Sequence, residues 1–416
     1  MTPKDLSLNL LFESVNKDSK DLYEICYLCR KHKYSVIQLF SLFVIFRDDM
    51  IIVNRDKKNS FFMQHFCLVI AFLCLFLSCQ EDEKKDLTAR FEKVANIRGE
   101  KLNVETYKLN SLGGLLLFDK ENCVIKHNVM RDSHIDKISY TQDSLSVLLK
   151  HGGGPNESYN TFLMQKKDEG HFLVLDISKK RIMTKDLLGN TVEEQNIEEH
   201  YSSILQTNEG YVARNNGSRV RNNKRFVRLD EKGVYKDSFG DFPEQDRYSM
   251  EEADPQSRMM AYQGKMVYNP TNNKMAFISF FGVIFEVYQL SENPCLIKGY
   301  YDAFPSYVLD SNSKYSSAIY QKDNIHGYID LCATNQYIYA LYSGKQMQGV
   351  SEQAFMDVML SNSIFIYDWD GNCVCRLLTD KPLLNICVSE DNRKLIALGW
   401  EEDFYLYSFD LSEANL

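Results

Sequence analysis

Six basic side chains crowd one Asn-rich stretch, ARNNGSRVRNNKRFVR: Arg214, Arg219, Arg221, Lys224, Arg225 and Arg228. Arginine offers paired donors that match carboxylate, sulfate or phosphate oxygens. The stretch is therefore a candidate site for an anionic ligand or glycan, with a solvated hairpin loop as the plainer reading. A second set is aromatic: Tyr300, Tyr301, Tyr307, Tyr315, Tyr320 and Tyr328, followed by Trp369 and Trp400. Such rings can stack on sugars, and they can equally pack a core. His151-Gly152-Gly153-Gly154 has the form of a lipase oxyanion loop, but that chemistry needs a G-x-S-x-G nucleophile elbow downstream, and none is present. A glycine-rich turn between strands is expected there instead. Asp368-Trp369-Asp370-Gly371-Asn372 looks superficially like a calcium loop but lacks the full ligand series and the distant Glu, so a hairpin turn is expected. H-E-x-x-H, the phosphate-binding loop and the dinucleotide fingerprint are missing, and His127, His151, His171 and His326 share no metal-like spacing. No catalytic residue, metal or cofactor is assigned on these grounds. A site assembled only in three dimensions stays open.

The composition behind these residues is that of a globular chain. Its 416 residues are 44% hydrophobic and 25% charged, with 8 Pro and 20 Gly. A net charge of −9 argues against nucleic acid as a partner, because phosphate binding needs a basic field. Cys26-Tyr27-Leu28-Cys29 has redox or zinc spacing, yet no second pair follows it.

The segment Phe66–Leu77 reads FCLVIAFLCLFL, an apolar run without a charge. It is too short for a bilayer span of roughly 20 residues and suits the apolar region of a signal peptide. It ends in Phe76-Leu77-Ser78-Cys79 and turns at once to QEDEKKD. Apolar run, small residue, Cys and abrupt polarity resemble a lipobox, with Phe76 where Leu is commoner. That likeness implies that Cys79 becomes the acylated first residue of the mature protein. The competing reading is an uncleaved anchor over Phe61–Cys79. Signal peptides are N-terminal, so residues 1–49 read as a start-site extension and 50–79 as the signal peptide, with Arg55, Lys57 and Lys58 as its basic part. Residues 80–103 are then expected to be a tether. Gln80 and the acidic Glu81-Asp82-Glu83 point to the outer membrane, with surface exposure as an option.

After the anchor, short alternating runs recur between turn signals: 114–118, 144–149, 172–176, 210–213, 226–229, 275–279, 337–342, 364–367, 395–398 and 404–409. Strands of this length bounded by Gly, Asn and Asp indicate an all-β protein. Helix is expected only over 87–94 and 352–360. VLDISKKRIMTKDLLGN (174–190), VRLDEKGVYKDSFGD (227–241) and FIYDWDGNCVCRLL (365–378) share one pattern, strand, Asp-centred turn, strand, Gly, which reads as an outer hairpin. Units of about 50 residues over 104–412 predict a six-bladed β-propeller with four-stranded antiparallel blades. Its final strand, 404–411, should share a blade with the first strand after Val104. Cys123, Cys295, Cys332, Cys373, Cys375 and Cys387 are scattered, not spaced as a disulfide framework, and most read as small buried hydrophobes.

The loop His151-Gly152-Gly153-Gly154-Pro155-Asn156-Glu157-Ser158-Tyr159, followed by FLVLDISKKRI, resembles the Gly-Pro-x-Glu loop of TolB-like six-bladed β-propeller lipoproteins of Gram-negative bacteria. YIYALYSGK (337–345) and FIYDWDGNCV (365–374) are similar to that family's late blades. The likeness covers about 105–412. It implies the fold and marks Gly152, Gly153, Gly154, Pro155 and Glu157 as the family loop, but it implies no one activity. The leading functional expectation is a lipid-anchored, non-enzymatic binding or scaffold propeller at the cell envelope, holding a glycan, a peptide or a protein. A hydrolase or lyase using pore-lining residues, and an accessory subunit of an envelope complex, are the alternatives.

Overall fold

The computed structural model describes residues 87–104, 114–117, 119, 121–127, 133–215, 224–243, 255–306, 324–347, 352–414 and 416. The proposed extension, signal peptide and Cys79 lie outside these residues, as do Arg219, Arg221, Tyr307, Tyr315 and Tyr320.

A 3-10 turn, Leu87–Arg90, leads into β1 (Val94–Ile97) and β2 (Gly99–Lys101). Blade 1 follows as β3 (Leu115–Leu117), β4 (Asn122–Lys126), β5 (Ser133–Ser139), β6 (Ser144–His151) and the short β7 (Glu157–Ser158). Blade 2 is β8 (Thr161–Lys166), β9 (His171–Asp176), β10 (Arg181–Asp186) and β11 (Thr191–Asn196). Blade 3 is β12 (Ile204–Thr207), β13 (Gly210–Arg214), β14 (Phe226–Leu229) and β15 (Tyr235–Phe239). After helix α1 (Pro255–Ala261) comes blade 4: β16 (Gly264–Asn269), β17 (Lys274–Ser279), β18 (Val283–Gln289) and β19 (Cys295–Ala303). Blades 5 and 6 share strands β20 (Ile325–Ala333), β21 (Tyr337–Gln346), β22 (Ser361–Asp368), β23 (Cys373–Val388), β24 (Lys394–Trp400) and β25 (Phe404–Asp410), with helix α2 (Glu352–Met359) between β21 and β22. The long β23 serves both: its first half pairs with β22, its second half with β24. Pro382, which has no N–H to give a ladder, falls between the halves.

First strands of successive blades touch in a closed cycle, β3 to β8, β12, β16, β20, β23 and back to β3. The core is correspondingly split into slabs, one at each blade boundary. Val124 and Leu148 of blade 1 meet Phe172 and Val174 of blade 2; at the far end, Ile396 and Leu406 of blade 6 meet Cys123 and Ile125 of blade 1. All ten alternating runs read from sequence fall on strands.

Ring closure differs from expectation in one respect. β25 pairs with β2, Gly99↔Phe409 to Lys101↔Tyr407, and so with a strand before Val104, not after it. The first described strand after Val104, β3, pairs with β4 instead. The expected tether over 80–103 thus shortens, because residues from Leu87 onward are built into the ring. Nor does 87–94 form the expected helix: the 3-10 turn stops at Arg90 so that Phe91 can insert against Phe365 and Tyr367, at ring centroid distances of 4.5 and 5.3 Å. Arg90 grips Asp302 with two hydrogen bonds of 2.9 and 2.6 Å. β1 then adds in parallel to β23. This N-terminal clasp touches blades 4, 5 and 6 in turn.

The repeated Asp-centred turn has one geometry in three blades. In Asp186–Asn190, Asp230–Val234 and Asp368–Asn372, the Asp Oδ1 accepts from the backbone N–H groups two and four residues on. The fourth residue is Gly with φ of +89°, +73° and +80° respectively. Each of these glycines also packs against the preceding blade; a Cβ on Gly371 would stand 2.6 Å from the Lys298 Cβ. Turn chemistry and blade spacing therefore demand the same residue. The amide contacts to Asp368 account for the likeness to a calcium loop.

One buried base should make this fold acid-sensitive. His326 opens β20 beside Phe281, and burial pushes its imidazole down to about 4, with the Phe280 carbonyl opposing. An unfolded chain takes up this proton near pH 6.5, the folded chain only near 4. Stability is therefore full above pH 6.5 and is lost as pH falls through that window, by on the order of 3 kcal/mol. Thermal unfolding from pH 7 to 4 should show a shallower fall for His326→Phe than for the unaltered protein.

Candidate functional site

The family loop is built into a joint between blades 1 and 2. β7 pairs in parallel with Lys150 and His151 of β6. Glu157 Oε2 accepts from the Gly154 N–H at 2.8 Å, and the Lys179 ammonium donates to the carbonyls of Gly153, Gly154 and Glu157 at 3.2, 3.0 and 3.3 Å. Lys179 belongs to the β9–β10 turn, so blade 2 holds the loop of blade 1. Pro155 is exposed and Gly152 has φ +149°. These contacts make the motif a connector.

Among the described residues, the basic stretch does not form one patch. Arg214 ends β13, where burial pulls its guanidinium down to about 10; it donates to Ser202 and to the Met259 carbonyl. Arg228 lies on β14, holding Asp237 and the carbonyls of Ser291 and Glu292 in blade 4. Lys224 pairs with Asp241. Arg225 is 2% exposed. It donates to both oxygens of Glu286 at 2.6 and 2.7 Å, to Tyr288 Oη at 2.9 Å and to the Asp241 carbonyl at 2.9 Å. Burial opposes the Arg225 charge, but Glu286 beside it more than compensates and holds its pKa above the ordinary arginine value. Arg225 and Arg228 are thus struts from blade 3 to blade 4, whereas Lys224 pairs with Asp241 at the surface, and residues 216–223 lie outside the described residues. Guanidinium groups facing carboxylates in a tight fold cannot also stand free in water.

The aromatic set divides too. Tyr328 is fully buried against Tyr367, with hydroxyls 3.1 Å apart. Trp369 is buried and donates to the Thr334 carbonyl at 2.9 Å. Trp400 packs edge-on to Phe404. Tyr300 donates to the Gly371 carbonyl at 3.0 Å beneath the Arg90 guanidinium. Tyr301 opens onto a cavity.

That cavity is a cleft of about 360 Å³ where blades 3 and 4 part, lined by Gly240, Asp241, Phe242, Pro243, Tyr288, Pro294, Leu296 and Tyr301. The Tyr301 hydroxyl donates to Glu286 Oε1 at 2.7 Å, so the Arg225–Glu286 pair fixes both tyrosines of the wall from behind. Burial, with the Glu286 charge adding to it, raises the Tyr301 pKa well beyond 10, keeping the phenol protonated as a donor. Sequence reading reached Arg225 and Tyr301 but not Glu286. The signal was there: one acid in the apolar run Val283–Gln289.

Polar groups around the ring's inner strands act as ties. Asp330 of β20 pairs with Lys265 of β16 and accepts from the Ile386 N–H of β23 at 2.9 Å, joining three blades. Gln165 and Gln206 bond reciprocally between blades 2 and 3. Among the described residues, no group of three His, Cys, Asp or Glu is placed to hold a metal, and no helix is long and apolar enough to cross a membrane. Cys123, Cys375 and Cys387 are buried and Cys332 and Cys373 half-buried, whereas Cys295 is exposed.

The family model of TolB-like 6-blade propeller-like proteins matches residues 116–391. No curated protein matches the chain. Among solved structures, a member of the DUF4221 family from Bacteroides vulgatus is similar at TM-score 0.44 and 12% identity, over 77% of this chain and 97% of that one. A Bacteroides fragilis protein described as exported gives 0.45 and 10%, over 76% and 99%. A gluconolactonase from Xanthomonas campestris gives 0.42 and 9%, over 75% and 97%.

Proposed function

The chain belongs to the TolB-like six-bladed propeller family, and from that premise we propose that it is a non-enzymatic glycan-binding lipoprotein of the outer membrane. One observation carries the reading: the cleft between blades 3 and 4. Its volume falls within the range typical of small-ligand sites, roughly 300–1,000 Å³. The Tyr301 ring, its hydroxyl held by Glu286 from behind, offers a fixed aromatic wall that suits the apolar face of a sugar ring. The Arg225–Glu286 pair preorganises those walls instead of meeting the ligand, which favours a neutral or weakly charged sugar over a polyanion. Cys79 supplies the anchor, and the polar run after it the short link to Leu87.

An array of glycans and peptidoglycan fragments probed with the purified protein tests the ligand. Binding that falls at least tenfold in Tyr301→Ala, about 1.4 kcal/mol, while the fold is retained, is the expected result. Binding only to peptides, or sugar binding indifferent to Tyr301, overturns the glycan reading. For the anchor, Cys79→Ala should abolish labelling by radioactive palmitate and release the protein from membranes.

A further inference from the structure

A ligand meets a cleft through groups that the fold has not already engaged, and a few such polar groups fix its orientation. In the cleft between blades 3 and 4, Phe242, Pro243, Pro294 and Leu296 offer apolar surface, with Leu296 at 45% exposure. Both tyrosine hydroxyls are already taken up: that of Tyr301 donates to Glu286 at 2.7 Å, and that of Tyr288 accepts from Arg225 at 2.9 Å. Among the described residues of the lining, Asp241 is the remaining polar side chain, and that side chain is 78% exposed. Its main chain is fixed by the arginine that also steadies Tyr301. The Arg225 N–H donates to the Gly240 carbonyl at 2.8 Å, and its Nε donates to the Asp241 carbonyl at 2.9 Å. Gly240 has φ +76°, and a Cβ there would stand 2.5 Å from the Phe226 ring, so the turn before Asp241 admits one shape. Arg225 thus sets both walls, blade 3 through the main chain and blade 4 through Glu286.

Resting on the glycan reading, we propose that Asp241 selects the ligand of this cleft. Its carboxylate accepts from two neighbouring hydroxyls of an uncharged pyranose, while the apolar face of the same ring lies on Tyr301. The chemistry of the lining carries the choice. An ionised carboxylate is an acceptor only, so it requires donors on the ligand. Its two oxygens span adjacent hydroxyls much as they span the paired N–H groups of a guanidinium, and such charge-assisted bonds are roughly twice as strong as neutral ones. In a lining with so few polar groups, that bond decides which ring edge is accepted. A uronate, sulfate or phosphate in the same place would bring acceptors and a like charge. An amino sugar gains no preference either, because Lys224 already supplies Asp241 with a cation at Oδ1.

The probes are the methyl glycosides of glucose, mannose and galactose, each beside its uronide and its amino-sugar form. They are titrated into the purified protein to tens of millimolar and followed by saturation-transfer NMR. At least one hexoside should bind in a manner that needs the Tyr301 ring, with its uronide bound about tenfold less tightly and its amino form no tighter. Asp241→Asn, which adds a donor, should close the gap between hexoside and uronide. Lys224→Met, which leaves the carboxylate uncompensated, should widen it. Both variants should melt as the unaltered protein does, since both side chains reach solvent. A uronide bound as tightly as its hexoside, an amino sugar bound more tightly, or a gap that neither variant moves overturns selection by Asp241. In each of those cases the glycan reading still stands if Tyr301→Ala abolishes binding. No hexoside binding, or binding indifferent to Tyr301, overturns the glycan reading itself.

Discussion

A chain truncated after Glu402 loses its cooperative thermal transition. The cut removes β25, in which Leu406, Tyr407 and Phe409 are fully buried. Burying side chains of this size contributes about 1.5–3 kcal/mol each, on the order of 5–9 kcal/mol together, which equals much of the stability of an ordinary domain. The cut also strips partners from β24 on one side and β2 on the other, and it uncovers the slab where blade 6 meets blade 1. Calorimetry of both lengths is the measurement. A shortened protein that melts sharply at the original temperature would show that the ring does not depend on this strand.

Glu286→Ala destabilises the protein by about 3–5 kcal/mol, the usual cost of leaving one member of a buried ion pair uncompensated. Arg225 would keep its charge among Phe226, Phe277 and Tyr262, whose rings lie 5.3, 5.6 and 6.0 Å from its guanidinium carbon. Replacing both partners, Arg225→Met with Glu286→Leu, should recover most of the loss, because no charge then stays buried. Urea unfolding of the unaltered protein and the two variants separates the outcomes. If the double variant is as unstable as the single one, hydrogen bonding to Tyr288, Tyr301 and the Asp241 carbonyl matters more than charge. Because the same pair steadies the cleft wall, the double variant also tests the proposed site: sugar binding should weaken even where stability is recovered.

The contrast between what sequence foretold and what it concealed follows from where each element gets its stability. Runs such as Phe404–Asp410 declare themselves, since alternation is required wherever one strand face meets a neighbouring blade. Gly99-Glu100-Lys101 declares nothing: no alternation and no branched side chain mark it, and it is a strand only because β25 offers it a ladder. Phe91 likewise gives no sign that it will leave a helical turn to fill a space between blades. The Asp-centred turns were legible because side chain and backbone settle them within five residues. The cleft was not, since Asp241–Pro243 and Pro294–Tyr301 meet only when blades 3 and 4 have packed. Arginine clusters misled for a related reason: local sequence records the charges, but their acceptors, Glu286 and the carbonyls of Ser291 and Glu292, lie some 60 residues downstream.

The clasp at the N-terminus sets a timetable. Gly99 donates its N–H to Asp380, 281 residues later, and β2 waits for β25. Contacts of such sequence separation form slowly, since loop closure must precede their reward. Until the C-terminal residues arrive, blade 6 has no outer strand and the boundary with blade 1 stands open. The ring therefore cannot reach its native state until β25 is in place. The stretch that opens the ring, Gly99–Lys101, is thus the last to be locked.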